Sequence, residues 1–95
     1  MPKKIAVIHA TRVSLDPVAQ SAAQFPDVEL LHLMDEGMSY LAKAEGGRIS
    51  GVNMARMAAL LHSAEELNVD GILLSCTIFS PDIDLLRSFT DLPLV

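Results

Sequence analysis

Along the chain, short unbroken apolar runs alternate with segments whose apolar residues recur every three or four positions. Lys4 to Ala10 is the first such run, rich in Ile and Val, as a strand buried on both faces requires. Asp16-Pro17 then signals a helix start, because Asp accepts from free N–H groups and Pro sits where a missing donor costs nothing. That helix is expected to reach about Gln24, with Pro26 ending it. Val28 to Met34 reads as a second strand, and its interruptions at Glu29 and His32 place it nearer a sheet edge. Asp35 to Glu45 favours a short helix, with Met38 and Leu41 on one face.

Val52 to Leu67 carries the clearest helical period, with Met54, Met57, Leu61 and Ala64 in one stripe. Asn68 to Gly71 turns the chain into a third buried strand, Ile72 to Cys76. Ser80-Pro81 is expected to open a last helix with Leu85, Leu86 and Phe89 inward, and Leu92 to Val95 reads as a fourth strand. Strands alternating with helices predict right-handed crossovers and a parallel sheet. The expected fold is therefore α/β, doubly wound in three layers, with a four-stranded sheet in the order 2-1-3-4. In such sheets ligands gather at the carboxyl ends of the strands, where the winding reverses. Here that crevice falls between the loop His9 to Arg12 and the loop Cys76 to Ser80.

Composition narrows the class. The 95 residues are 51% apolar and fit one domain with one modest core. No apolar run approaches the roughly 20 residues of a membrane span, and no secretory leader pattern opens the chain, so membrane partners are not expected and a cytoplasmic location is. The formal charge of −5, from 7 Lys+Arg against 12 Asp+Glu, argues against nucleic acid as a partner. One cysteine and three histidines without ligand spacing suggest neither a disulfide framework nor a metal site. A fourth strand with no helix after it would leave apolar sheet exposed, which predicts a homo-oligomer or a missing C-terminal half.

Candidate chemistry concentrates at the strand ends. Cys76 lies where the third strand stops, beside Thr77 and Ser80 and ahead of the expected Ser80-Pro81 helix start. A helix N-terminus can lower a thiol pKa from about 8.5 to roughly 3.5–7.5. The alternative is a cysteine packed as a small hydrophobe. His9 can face Cys76 as ion-pair partner or substrate donor, or be satisfied within the sheet. Thr11 and Thr77 offer hydroxyls and N–H groups to a carboxylate, or serve as helix caps. Arg12 is either an anion partner or solvated, while His32 and His62 read as edge or surface residues. Gly46 to Gly51 lacks the Gly-Lys-Ser/Thr of a phosphate loop and reads as a turn, and Asp35-Glu36 favours a helix N-terminus.

The stretch Val69 to Thr77, with Ser80-Pro81 and Asp91 to Val95, resembles the first half of the aspartate/glutamate/hydantoin racemase superfamily. The opening Lys4 to Thr11 and the segment Leu33 to Met38 share that resemblance, which covers essentially the whole chain. It implies an N-terminal α/β domain of a two-domain, cofactor-independent enzyme that moves a proton on the carbon next to a carboxylate. By that resemblance Cys76 is the catalytic thiol, and His9, Thr11, Thr77 and Ser80 bind a small carboxylate substrate. Two departures stand out. The chain has Cys76-Thr77-Ile78 where amino-acid racemases of the family commonly have Cys-Asn-Thr, and it has no second cysteine. One thiol serves one face of a carbon, so the chain alone is expected to be inactive as a racemase. Decarboxylases and cis-trans isomerases of the superfamily, or a binding module with a packed cysteine, are the alternatives.

Overall fold

The computed structural model describes residues 3–44, 46 and 51–95, with the side chains of Val52, Thr77, Ile78 and Ser80 outside the description. The Gly46 to Gly51 turn expectation falls largely outside it as well. The chain is mixed α/β, built on a three-stranded parallel sheet in the order β2-β1-β3, with β1 at Lys3–His9, β2 at Val28–Met34 and β3 at Gly71–Leu74. The helices are α1 (Leu15–Ala22), α2 (Glu36–Ala44), α3 (Val52–Glu66) and α4 (Ile83–Arg87). Short 3₁₀ turns precede α1 at Arg12–Ser14 and α4 at Thr77–Asp82.

Register fixes which side chains share a face. Ala6 lies beside Leu31 and Ile72, and Ile8 beside Leu33 and Leu74. This face joins Met38 of α2, Met57, Leu61 and Ala64 of α3, Phe79 and Leu86 in one buried core. The opposite face carries Val7, His32 and Leu73 in one row and His9 beside Met34 in the next. α1 contacts β2, and none of its own residues is fully buried. A cleft of about 430 Å³ opens between Pro17 and Val18 of α1 and Leu30 and Leu73 of the sheet, lined without any titratable group.

α3 ends as its sequence suggests. Leu67 caps the helix, and Asn68 follows with φ of 56°, a left-handed position that Asn tolerates better than most residues. At the far end of β2, Asp35 accepts two bonds from Arg56 of α3, both of 2.7 Å, which tie strand to helix. Gly37 makes room for this clamp, since a Cβ there would stand 2.5 Å from Nη2 of Arg56.

Three expectations are corrected. The four-stranded sheet is not formed: residues 92–95 make one parallel bridge, Ile72 to Leu94, and three backbone bonds to β3. Pro93 has no N–H to give and the ladder is one rung long, so the segment lies along the sheet without becoming a strand. Ser80-Pro81 does not start the last helix, because Pro81 sits inside the 3₁₀ turn and α4 begins at Ile83. Of the three residues expected inward, only Leu86 is buried, while Leu85 and Phe89 are exposed. Among the described residues no helix is long and apolar enough to cross a membrane.

Leu61 is fully enclosed at the centre of the core. Replacing it by Ala is expected to cost about 2–5 kcal/mol, the usual range for a buried Leu deletion. Val13, 84% exposed, is the control: Val13→Ser should change stability by no more than about 0.5 kcal/mol. Urea denaturation of the two variants measures both.

Candidate functional site

β1 pairs with a neighbour on each side, so its carboxyl end meets the ends of β2 and β3 together. Ser75 leaves β3 with its N–H still donating to the Ile8 carbonyl at 3.2 Å, and Asp35 leaves β2 with its N–H on the His9 carbonyl at 3.0 Å. These bonds hold the loops after all three strands against one another. Cys76 and the backbone of Ala10 and Thr11 therefore converge at the expected strand-end position.

The sulfur of Cys76 is half-buried and accepts the Ala10 N–H at 3.3 Å. The Oγ atoms of Ser14 and Ser75 each lie 3.7 Å from it. Burial pushes the thiol pKa up, but the Ala10 N–H, the Ser75 and Ser14 hydroxyls and the Thr11 N–H together outweigh it, and the net shift is downward. The thiolate is thus favoured by donors from the β1 loop and from two serines. The α-helix N-terminus expected after Cys76 is not the source, because a 3₁₀ turn occupies that place.

His9 is completely buried. It does not pair directly with Cys76, nor is its ring satisfied by the sheet backbone. Nδ1 lies 2.8 Å from both Ser14 Oγ and Ser75 Oγ, and those two hydroxyls are 3.0 Å apart. Nε2 lies 2.8 Å from Nδ1 of His32 on the neighbouring strand. Burial, and secondarily the facing His32, lower the His9 pKa, which favours the neutral ring. The polar chain runs from His32, an exposed residue on the edge strand, through His9 and the two serines to the sulfur.

The other expected site residues divide. Thr11 reaches the thiol through its N–H, and its side chain makes no cap to the turn that follows. Arg12 is paired with Glu36 at 3.0 Å on the surface. The Thr77 and Ser80 side chains lie outside the described residues. Ser14, Ser75 and His32 were not singled out by the pattern of the sequence as parts of this site. Arg87 was missed too. A cavity of about 280 Å³ beside Cys76 is walled by Leu74, Phe79, Ile83 and Val95, with the Arg87 guanidinium as its cation. Nε of Arg87 donates to the Leu94 carbonyl at 3.0 Å, and Nη1 stands 3.5 Å from Asp84. This smaller cavity, not the larger apolar cleft under α1, adjoins the reactive group.

Among the described residues no cluster of three or more His, Cys, Asp or Glu could hold a metal ion. Fold and site together define an α/β protein with a hydrogen-bonded thiol at the carboxyl edge of a parallel sheet. Comparison with protein-family models, with curated proteins and with solved structures finds no match to this chain.

The neutral state of His9 has a consequence for stability. Its folded pKa lies below the unfolded value of about 6.5, so below that pH the unfolded chain binds protons more readily. Stability should be full above that value and fall as pH drops through it toward the lower folded pKa. Urea unfolding across this range measures the decline, and His9→Gln should flatten it; an unchanged slope in the variant would assign the decline to other groups.

Proposed function

We propose that the chain is a cofactor-independent, racemase-like acid–base unit in which Cys76 moves a proton on the carbon next to a carboxylate. The observation that carries this reading is the sulfur held by two backbone N–H groups and two hydroxyls beside a cavity that offers one cation. Donors aimed at a sulfur favour the anion, and an anionic sulfur next to a bound acid is a base. Arg87, with Nε held by the Leu94 carbonyl and Asp84 near Nη1, is the cationic residue of the cavity and the candidate to receive the carboxylate.

The step is a simple exchange. The Cys76 thiolate takes the α-proton and becomes a thiol, and the electron pair of the broken C–H bond moves into the carboxylate as an enediolate. The thiol then returns a proton to the same carbon. Between the two events the sulfur exchanges its hydrogen with solvent. One thiol acts from one side only, so this chain alone exchanges the α-hydrogen without inverting the centre. Inversion needs a second acid on the opposite face. Decarboxylation would use the same thiol as the proton donor to the carbanion left by loss of carbon dioxide.

A second reading rests on the sheet face under α1, where no helix residue is buried and Phe25, which lines the cleft, is 60% exposed. An exposed apolar face of this kind marks an interaction surface. In that reading the chain is a binding module and the sulfur has no catalytic role.

Proton NMR of aspartate and glutamate incubated with the chain in deuterium oxide separates the two. The catalytic reading expects loss of the α-proton signal with retained configuration, faster as pH rises through the lowered thiol pKa, and abolished in Cys76→Ser. Wild-type exchange no faster than that of the variant would remove it and leave the binding module.

A further inference from the structure

The His9–His32 pair lies outside the proton transfer just described, yet no hydrogen-bonded link is missing between it and the sulfur. We propose that His32, His9 and the Ser14/Ser75 hydroxyls form a proton relay that connects the Cys76 sulfur to solvent at the exposed edge of the sheet. This inference rests on the reading of Cys76 as a proton-transfer group, and it names the path by which that group is recharged.

Each link is short enough to pass a proton. The serine oxygens stand 3.7 Å from the sulfur and 2.8 Å from Nδ1 of His9, and 2.8 Å separates Nε2 of His9 from Nδ1 of His32. Each serine also has a carbonyl as an alternative acceptor, Thr11 for Ser14 and Ile8 for Ser75, at 3.2 Å. The two hydroxyls are therefore parallel branches, either of which completes the path when it turns toward the ring.

The proton count closes without a charge on the buried ring. At the start the thiol donates to a serine oxygen, the serine hydroxyl donates to Nδ1 of His9, and Nε2–H of His9 donates to Nδ1 of His32. One shift along the chain leaves a thiolate, the serine with a replaced proton, His9 protonated on Nδ1 instead of Nε2, and His32 with both nitrogens protonated. His32 then releases its Nε2 proton to water. The transient cation sits on the exposed ring, while His9 is neutral before and after the shift. Complete burial, which makes a charged His9 costly, thus favours its use as a relay over its use as a base.

The groups that face His9 are His32 on β2, Ser14 from the turn before α1, and Ser75 and Cys76 after β3. A purely structural network would also bury and satisfy these groups, so the test must read proton transfer. A relay makes the rate at which the sulfur exchanges its hydrogen with solvent depend on His32, whereas equilibrium coupling between two groups needs no proton path. The experiment measures the exchange of the Cys76 S–H with solvent by proton NMR line shape in the wild-type chain and its variants. His32→Gln should slow this exchange several-fold. Ser14→Ala and Ser75→Ala should each retain the fast exchange, whereas the double variant should lose it while His9 stays neutral.

S–H exchange as fast in His32→Gln as in the wild-type chain would overturn the relay. The outcome is separate from that of the exchange reaction. His32-dependent S–H exchange without α-proton exchange keeps the relay and removes the proposed function; α-proton exchange together with S–H exchange indifferent to His32→Gln keeps the function and removes the relay.

Discussion

Everything at the candidate site depends on β1 being the central strand of a parallel sheet. Because both of its edges are paired in the same direction, the chain must leave β1, β2 and β3 on one side of the molecule. The loop bonds from Ser75 to Ile8 and from Asp35 to His9 carry that alignment past the last rung of the ladder. Residues more than sixty positions apart, such as Ala10 and Cys76, then meet within hydrogen-bond distance. No local feature of either loop would bring them together. The asymmetry of the two sheet faces follows from the same register: one face is sealed by α2, α3 and α4 with apolar side chains, and the other holds the histidines on the side of α1, a helix none of whose own residues is buried.

That asymmetry separates two electrostatic tasks. On the sealed face the chain gains its packing energy from Leu61, Met57 and Ile8, and the buried Asn53 of α3 donates from Nδ2 to the Met38 carbonyl at 2.9 Å. On the other face His9 is enclosed yet fully bonded, which meets the requirement that buried polar groups find partners. Cys76 stands between the two regions. Its burial opposes ionisation, and the donors around it reverse that effect. The direction of the thiol's shift is therefore set by the N–H and O–H groups aimed at it.

Much of the framework was legible in the chain itself. Val52 to Leu67 was read from its three- and four-residue spacing, and the helix runs from Val52 to Glu66. The first two strands and the order of the three that form were readable from apolar runs and from the rule that parallel crossovers are right-handed. Cys76 was visible as a candidate because it is a lone thiol at a strand end. The serines and His32 were not, since each belongs to the site only through tertiary register: His32 looked like an edge-strand interruption, and Ser14 a residue of a helix start. Arg87 reaches the cavity because the 3₁₀ turn Thr77–Asp82 displaces the start of α4, a shift that Ser80-Pro81 did not reveal. Leu85 is exposed on α4, and Phe89 lies beyond the end of that helix.

The account stands on Cys76 being an anion more readily than an ordinary cysteine. Following thiolate formation by its ultraviolet absorbance, in the folded chain and in the same chain unfolded in urea, measures this directly. The account predicts a midpoint at lower pH in the folded chain, moving back toward the unfolded value when Ser14 and Ser75 are both replaced by Ala. A folded midpoint at or above the unfolded one would contradict it, because burial would then outweigh every donor around the sulfur.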